Sequence, residues 1–139
     1  MQPAFPLILA SGSPRRRELL DQMGLIYTVD SPDVDENFAG RPAETVLEIS
    51  RRKAAAVAAR HPNAVILAAD TLVFADEPLG KPHTPERAKE MLMALADNWH
   101  NVYTGITLID TNSGRVVRNV DRTRVHIAPM TEQEIDAYI

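Results

Sequence analysis

The chain is predicted to fold as an α/β protein built on a mixed sheet. Three observations predict it. Short apolar and β-branched runs alternate with helical segments along the sequence. Ala64–Ala69 is an unbroken apolar run, the pattern of a central strand covered on both faces. Residues 102–109 and 115–127 are rich in β-branched side chains and flank the turn Asn112-Ser113-Gly114, which signals a hairpin.

The elements follow in order. Leu7–Ala10 is the first predicted strand; its apolar run is far too short for a signal peptide or a membrane span. A Ser-Gly-Ser turn leads to Pro14, which suits the first turn of a helix reaching about Met23, and Gly24 closes that helix. Ile26–Val29 reads as a second strand, and residues 31–41, with Pro, Asp, Asn and Gly, as a loop. A long helix runs from about Pro42 to Arg60 and ends before Pro62. Leu72–Ala75 continues the central strand, and Asp76–Gly80 is a turn. Thr84 caps a helix that has Pro85 at its first position and ends near Leu95. Thr131-Glu-Gln-Glu134 is a capping box that opens a helix barely begun at Ile139. The expectation is a single domain over 1–139, cut short at its C-terminus.

Composition narrows the function. Of the 139 residues 45% are hydrophobic and 24% charged, as in an ordinary soluble globular protein. The net charge of −4 argues against wholesale binding of nucleic acid, while a small anionic ligand needs only a local cluster of cations. The absence of cysteine excludes disulfides, thiolate catalysis and zinc ribbons, and fits a reducing compartment. No segment approaches the roughly 20 apolar residues of a spanning helix. A soluble, cytoplasmic protein is expected.

Charges stand where the pattern wants apolar residues. On a wheel of about 100° per residue, Val46, Ile49, Ala56 and Val57 make an apolar stripe, opposite Glu44, Glu48, Arg51 and Arg52. Lys53 falls inside the stripe, four residues from both Ile49 and Val57. A buried ammonium needs an anionic partner or a wet cleft, unless its stem covers apolar surface and its head snorkels out. In the first helix Leu19, Leu20 and Met23 mark the inward face; Arg16 shares it, Arg15 borders it and Glu18 faces out. Both arginines follow Ser11-Gly12-Ser13, so free N–H groups, hydroxyls and guanidiniums converge as a di- or triphosphate requires. The alternative is a plain N-terminal turn with solvated arginines. Asp70 ends the apolar run and belongs at the carboxyl end of a central strand, where open α/β sheets bind ligands. A carboxylate there suits a metal ligand or a general base; the bland alternative is an Asp beginning a turn. Gly80-Lys81-Pro82 fails as a P-loop, since Pro82 stands where a hydroxyl residue is needed, and Lys81 is left as a point charge. His61, His83, His100 and His126 lack metal-ligand spacing. Asp33, Asp35 and Glu36 form an acidic loop. A hard cation commonly couples one or two carboxylates to substrate phosphates, and Glu36 with Asp70 could be that pair.

Several segments resemble the Maf (septum-formation inhibitor) family of nucleotide pyrophosphatases. They are LASGSPRRRELL at 9–20, PDVDE at 32–36, SRRKAAAVA at 50–58, ILAADTLV at 66–73, LGKP at 79–82 and HNVYTG at 100–105, with TEQEIDAYI at the end. The resemblance implies a Maf/ITPase-like α/β fold, with an elongated, twisted mixed sheet flanked by helices and two lobes around a cleft. It implies hydrolysis of a nucleoside triphosphate to the monophosphate and pyrophosphate with a divalent metal, Mg2+ or Mn2+. Asp70 matches the family's proton acceptor. Ser11, Ser13, Arg15, Arg16, Lys53 and Lys81 match its phosphate-binding set, and Glu36 an acidic position linked to metal and catalysis. The Ser-Pro-Arg-Arg and Ala-Asp-Thr forms look like the branch acting on dTTP and UTP, with Arg15 and Thr71 as specificity positions. Family members continue with a Gly-Glu-Pro-Leu-Asp-Lys-Ala-Gly segment and a glutamine tied to base recognition, which this sequence lacks; the sheet is then expected to lack strands and the base pocket a wall.

The alternative is a non-catalytic, nucleotide-binding regulator of cell division or septum formation. Nucleic-acid binding through Arg15–Arg17 and Arg51-Arg52 is least favoured, because the clusters lack interleaved aromatics. The preferred base, the metal and the oligomeric state are not written in the sequence, and a homodimer stays open.

Overall fold

The computed structural model describes residues 5–75, 77–79, 84–96, 99–126 and 128–138. Its elements are β1 (Leu7–Leu9), α1 (Pro14–Gln22), β2 (Thr28–Val29), α2 (Pro42–Ala58), β3 (Val65–Ala75), β4 (Glu77–Leu79), α3 (Pro85–Leu95), β5 (Trp99–Asp110), β6 (Arg115–His126) and α4 (Glu132–Tyr138). The sheet has the order β2-β1-β3-β5-β6, with β4 joined to the end of β3. β1 runs parallel to β2 and β3, whereas β3–β4, β3–β5 and β5–β6 are antiparallel. The expected α/β class with a mixed sheet is therefore present. Among the described residues no helix is long and apolar enough to cross a membrane.

Two element assignments change. Asp70 does not end the central strand. The backbone of β3 continues through it, pairing Asp70 with Gly105 and Thr71 with Thr104, because a strand ladder needs only main-chain groups and tolerates one polar side chain. Part of the segment read as a turn, Glu77–Leu79, is a short strand folded back on Val73–Ala75.

The sheet forks beside β3. One edge of β3 pairs with β5 from Val65 to Phe74. The other edge carries β1 at Val65–Leu67 and β4 at Val73–Ala75. Among the described residues no strand covers positions 68–72 on that second edge. The chain leaving β1 turns at Ser11–Ser13 beside this notch, and α1 starts there.

Helix α2 covers one face. Its buried positions are Val46, Ile49, Ser50, Ala54 and Val57; of these Ala54 and Val57 share one apolar cluster with Ile8, Ala10, Ala64, Ile66 and Ala68. Each fully buried Val or Ile contributes about 1.5–3 kcal/mol. Ala56, placed in the stripe by the wheel, is only half-buried, and Ser50 takes a core position instead. Its hydroxyl donates to the Leu47 carbonyl (3.0 Å) and lies 2.8 Å from the Thr107 hydroxyl, so the polar atom is satisfied. The helix comes this close because β5 has Gly105 beneath it: a Cβ there would overlap the backbone of Val46. The opposite face of β3 is less covered than the double burial expected, with Val65 and Leu67 half-buried. On α1 only Leu20 is buried, while Leu19 (42%) and Met23 (67%) are exposed, contrary to the inward face read from the periodicity.

The caps behave as predicted. Gly24 takes φ +72 after α1, a conformation that costs glycine little. Thr84 Oγ1 accepts the Arg87 N–H (3.1 Å). Thr131 and Glu134 exchange bonds of 3.1 Å each.

Candidate functional site

Strand alternation decides what faces α2. Ile66, Ala68 and Asp70 share one face of β3, so the run that buries two apolar side chains delivers a carboxylate next. Gly105 lies opposite Asp70 in register and adds no side chain to the space. From α2, Lys53 continues the buried series and reaches the same point. Its Nζ lies 3.3 Å from Asp70 Oδ1 and 3.4 Å from the Ala69 carbonyl. The two side chains are 16% and 18% exposed. The lysine in the apolar stripe thus has an anionic partner and does not snorkel to bulk water.

A second carboxylate arrives from the loop after β2. Glu36 Oε1 is 3.3 Å from the same Nζ, although its side chain is 62% exposed. Arg16 closes the cluster from α1. Its Nη1 donates to Ser11 Oγ (3.3 Å) and its Nη2 to Thr71 Oγ1 (3.2 Å). Ser11 is buried, and its Oγ also accepts the Ser13 N–H at 3.1 Å. Ser13 makes no side-chain cap on α1. The notch in the sheet therefore gathers Ser11, Ser13, Arg16, Glu36, Lys53, Asp70 and Thr71, from four separate stretches of chain. Arg15 stands apart, 71% exposed and 3.7 Å from Glu18. Lys81 lies outside the described residues, as do Gly80 and Pro82.

The charges are unequal in their surroundings. Burial pushes the Asp70 carboxyl above its ordinary 3.8; the Lys53 ammonium opposes the shift without cancelling it. Burial lowers the Arg16 pKa from its ordinary value, against the pull of Asp70 and Glu36, and a guanidinium stays charged at working pH. Glu48 is held down to about 2 by hydrogen bonds from Arg51 and Arg52. These three were assigned to the solvated side of α2. The structure instead turns Arg52 onto the Glu36 loop, with its Nη1 on the carbonyls of Asp35 (2.8 Å) and Asn37 (2.9 Å). A wheel reports only the direction away from the core, and the covering loop was not visible in it.

Among the described residues no three His, Cys, Asp or Glu side chains are grouped to hold a metal ion. Two carboxylates do converge on one cationic group, the Lys53 ammonium. Carboxylate oxygens are the donor type that Mg2+-type ions take when they bind nucleotides, so the donor chemistry of Glu36 and Asp70 suits such an ion.

The model of the family described as Maf-like protein matches residues 6–139. The chain belongs to this family. A dTTP/UTP pyrophosphatase of Halalkalibacterium halodurans is 45% identical over 137 residues, covering 96% of this chain and 71% of the relative. One from Salinibacter ruber is 44% identical over 142 aligned positions, covering 100% of this chain and 70% of the relative. Among solved structures, a HAM1 protein from Coxiella burnetii superimposes with a TM-score of 0.57 at 19% identity, over 91% of this chain and 74% of that one. That likeness is one of fold. The Maf resemblance read from the motifs is borne out.

Proposed function

We propose that this chain is a nucleoside triphosphate pyrophosphatase that converts dTTP and UTP to the monophosphate and pyrophosphate in the cytoplasm. The observation that carries the reading is the meeting of Arg16, Lys53, Glu36 and Asp70 at the notch beside β3. The names of the relatives supply the substrate class.

Arg16 and Lys53, with Lys81, neutralise the triphosphate and the charge that grows on the leaving group. The hydroxyls of Ser11 and Ser13 and the first turn of α1 receive phosphate oxygens. Asp70 orients the attacking water and accepts its proton. The water oxygen bonds to the α-phosphorus, the bond from that phosphorus to the bridging oxygen breaks, and pyrophosphate departs with the electron pair. Arg15 and Thr71 take the specificity positions. A divalent cation, Mg2+ or Mn2+, held by Glu36 and Asp70, supplies positive charge to the phosphates when bound.

Incubation with dTTP or UTP and Mg2+, followed by separation of the products, tests the reading. Monophosphate and pyrophosphate in equal amounts are expected. Nucleoside diphosphate with orthophosphate would overturn it, as would binding without turnover.

Lys53→Met is expected to raise KM and lower kcat together, because the ammonium meets phosphate in ground and transition states alike. It also removes a charge that lowers the Asp70 pKa, so the acid limb of kcat/KM moves to higher pH. Native KM with an unmoved acid limb would take Lys53 out of the site.

A further inference from the structure

We infer that Arg52 is a positioning residue for Glu36, acting through the main chain on either side of it; the inference rests on the functional reading above, in which Glu36 serves the triphosphate. Glu36 sits in a loop without regular structure, and its side chain is mostly exposed. Left alone, such a side chain samples many rotamers, and fixing it costs entropy. Here its neighbours are fastened. One guanidinium nitrogen of Arg52 donates to the carbonyls of both Asp35 and Asn37, and the next backbone carbonyl on each side of Glu36 is thereby tied to α2. The guanidinium is itself fixed by Nε donating to Glu48 Oε2 at 2.8 Å, and it lies over the Phe38 ring, 5.7 Å from its centroid. On the loop side Asp35 Oδ1 accepts the Asn37 N–H and its side-chain amide, both at 2.9 Å, which closes a turn around Glu36. The start of the loop is tied separately: Asp30 receives Arg60 (2.7 and 3.1 Å) and His61 (2.7 Å), just past the end of α2.

Adjacent residues of α2 thus divide the work. Lys53 meets the Glu36 carboxylate, and Arg52 sets the backbone that presents it. A lysine at 52 keeps the charge but lacks the planar fork whose Nε meets Glu48 while Nη1 meets the two carbonyls. Arg51 provides the control. It forks onto the same Glu48 through two bonds of 2.8 Å, and no hydrogen bond takes it to the loop.

The test uses the full chain. By 15N relaxation, the Glu36 and Asn37 amides are expected to fall from the rigid order-parameter range of about 0.85 to below about 0.6 in Arg52→Ala. Arg52→Lys should fall between, and Arg51→Ala should match the native chain. Unchanged order parameters in Arg52→Ala would overturn the inference. With dTTP and Mg2+, Arg52→Ala should lose about 10–100-fold in kcat, as expected when the support of a functional group is removed, and Arg52→Lys should recover part of it. In a Glu36→Gln background the same substitution should change kcat by less than about twofold, since it has nothing left to position. Equal losses in both backgrounds would mean that Arg52 acts elsewhere. A native chain that turns over no triphosphate would remove the functional reading, and the relaxation result would still decide whether Arg52 holds the loop.

Discussion

Asp70→Asn should lower turnover of dTTP by about 100- to 10,000-fold, the contribution of one positioned base, while the chain stays folded. Asn fills the same volume and removes the proton-accepting charge together with its ion pair to Lys53. The stability arm gives a sign that loss of folding could not mimic. The folded-state pKa of Asp70 is raised by burial, so the folded chain holds that proton more tightly than the unfolded chain does. The stabilising contribution is fully present below the ordinary carboxylate value of 3.8 and is lost as pH rises through the folded-state value. Measured without metal, the Asn variant should melt at or above the native chain at neutral pH, and the difference should close as pH falls toward 3.8. Near-native turnover would take Asp70 out of the role of base. A variant that melts well below the native chain at pH 7 would show that the carboxylate serves the fold.

The second large effect belongs to packing. Gly105→Ala should destabilise the chain by about 3 kcal/mol or more, the upper end for overpacking, because the added methyl meets the Val46 backbone, which has no rotamer to yield. That corresponds to a fall in Tm of roughly 10 °C. Gly105 also lies opposite Asp70, so pushing α2 outward carries Lys53 away from the carboxylate. Activity should therefore fall even at temperatures where the variant is folded. A Tm within a degree or two of the native value would show that α2 can move aside without cost.

The site was legible where charge conflicted with pattern. Lys53 in an apolar stripe, Asp70 after an apolar run and Arg16 on an inward face each break a periodicity, and all three meet at one place. The wheel could not tell Ser50 from a solvent residue, because its burial depends on a hydroxyl partner 57 positions away. Nor could it reveal that Leu19 and Met23 stay exposed, since periodicity gives a direction and says nothing of what covers it. Arg52 escaped for the complementary reason: its partners are main-chain carbonyls of an irregular loop, and carbonyls leave no trace in the identity of the residues that carry them. β4 was missed because Glu-Pro-Leu has no strand pattern; its pairing comes from following β3 closely.

The continuity of β3 through Asp70 bears on how the site tolerates motion. β3 has 11 residues and β5 has 12, and they pair from one end of β3 almost to the other. Moving the carboxylate therefore means shearing a long ladder, which is among the costlier distortions a small fold can undergo. Arg16 and Lys53, by contrast, ride on α1 and α2. Sequence drift or thermal breathing should displace Arg16 and Lys53 well before it moves the backbone that carries Asp70.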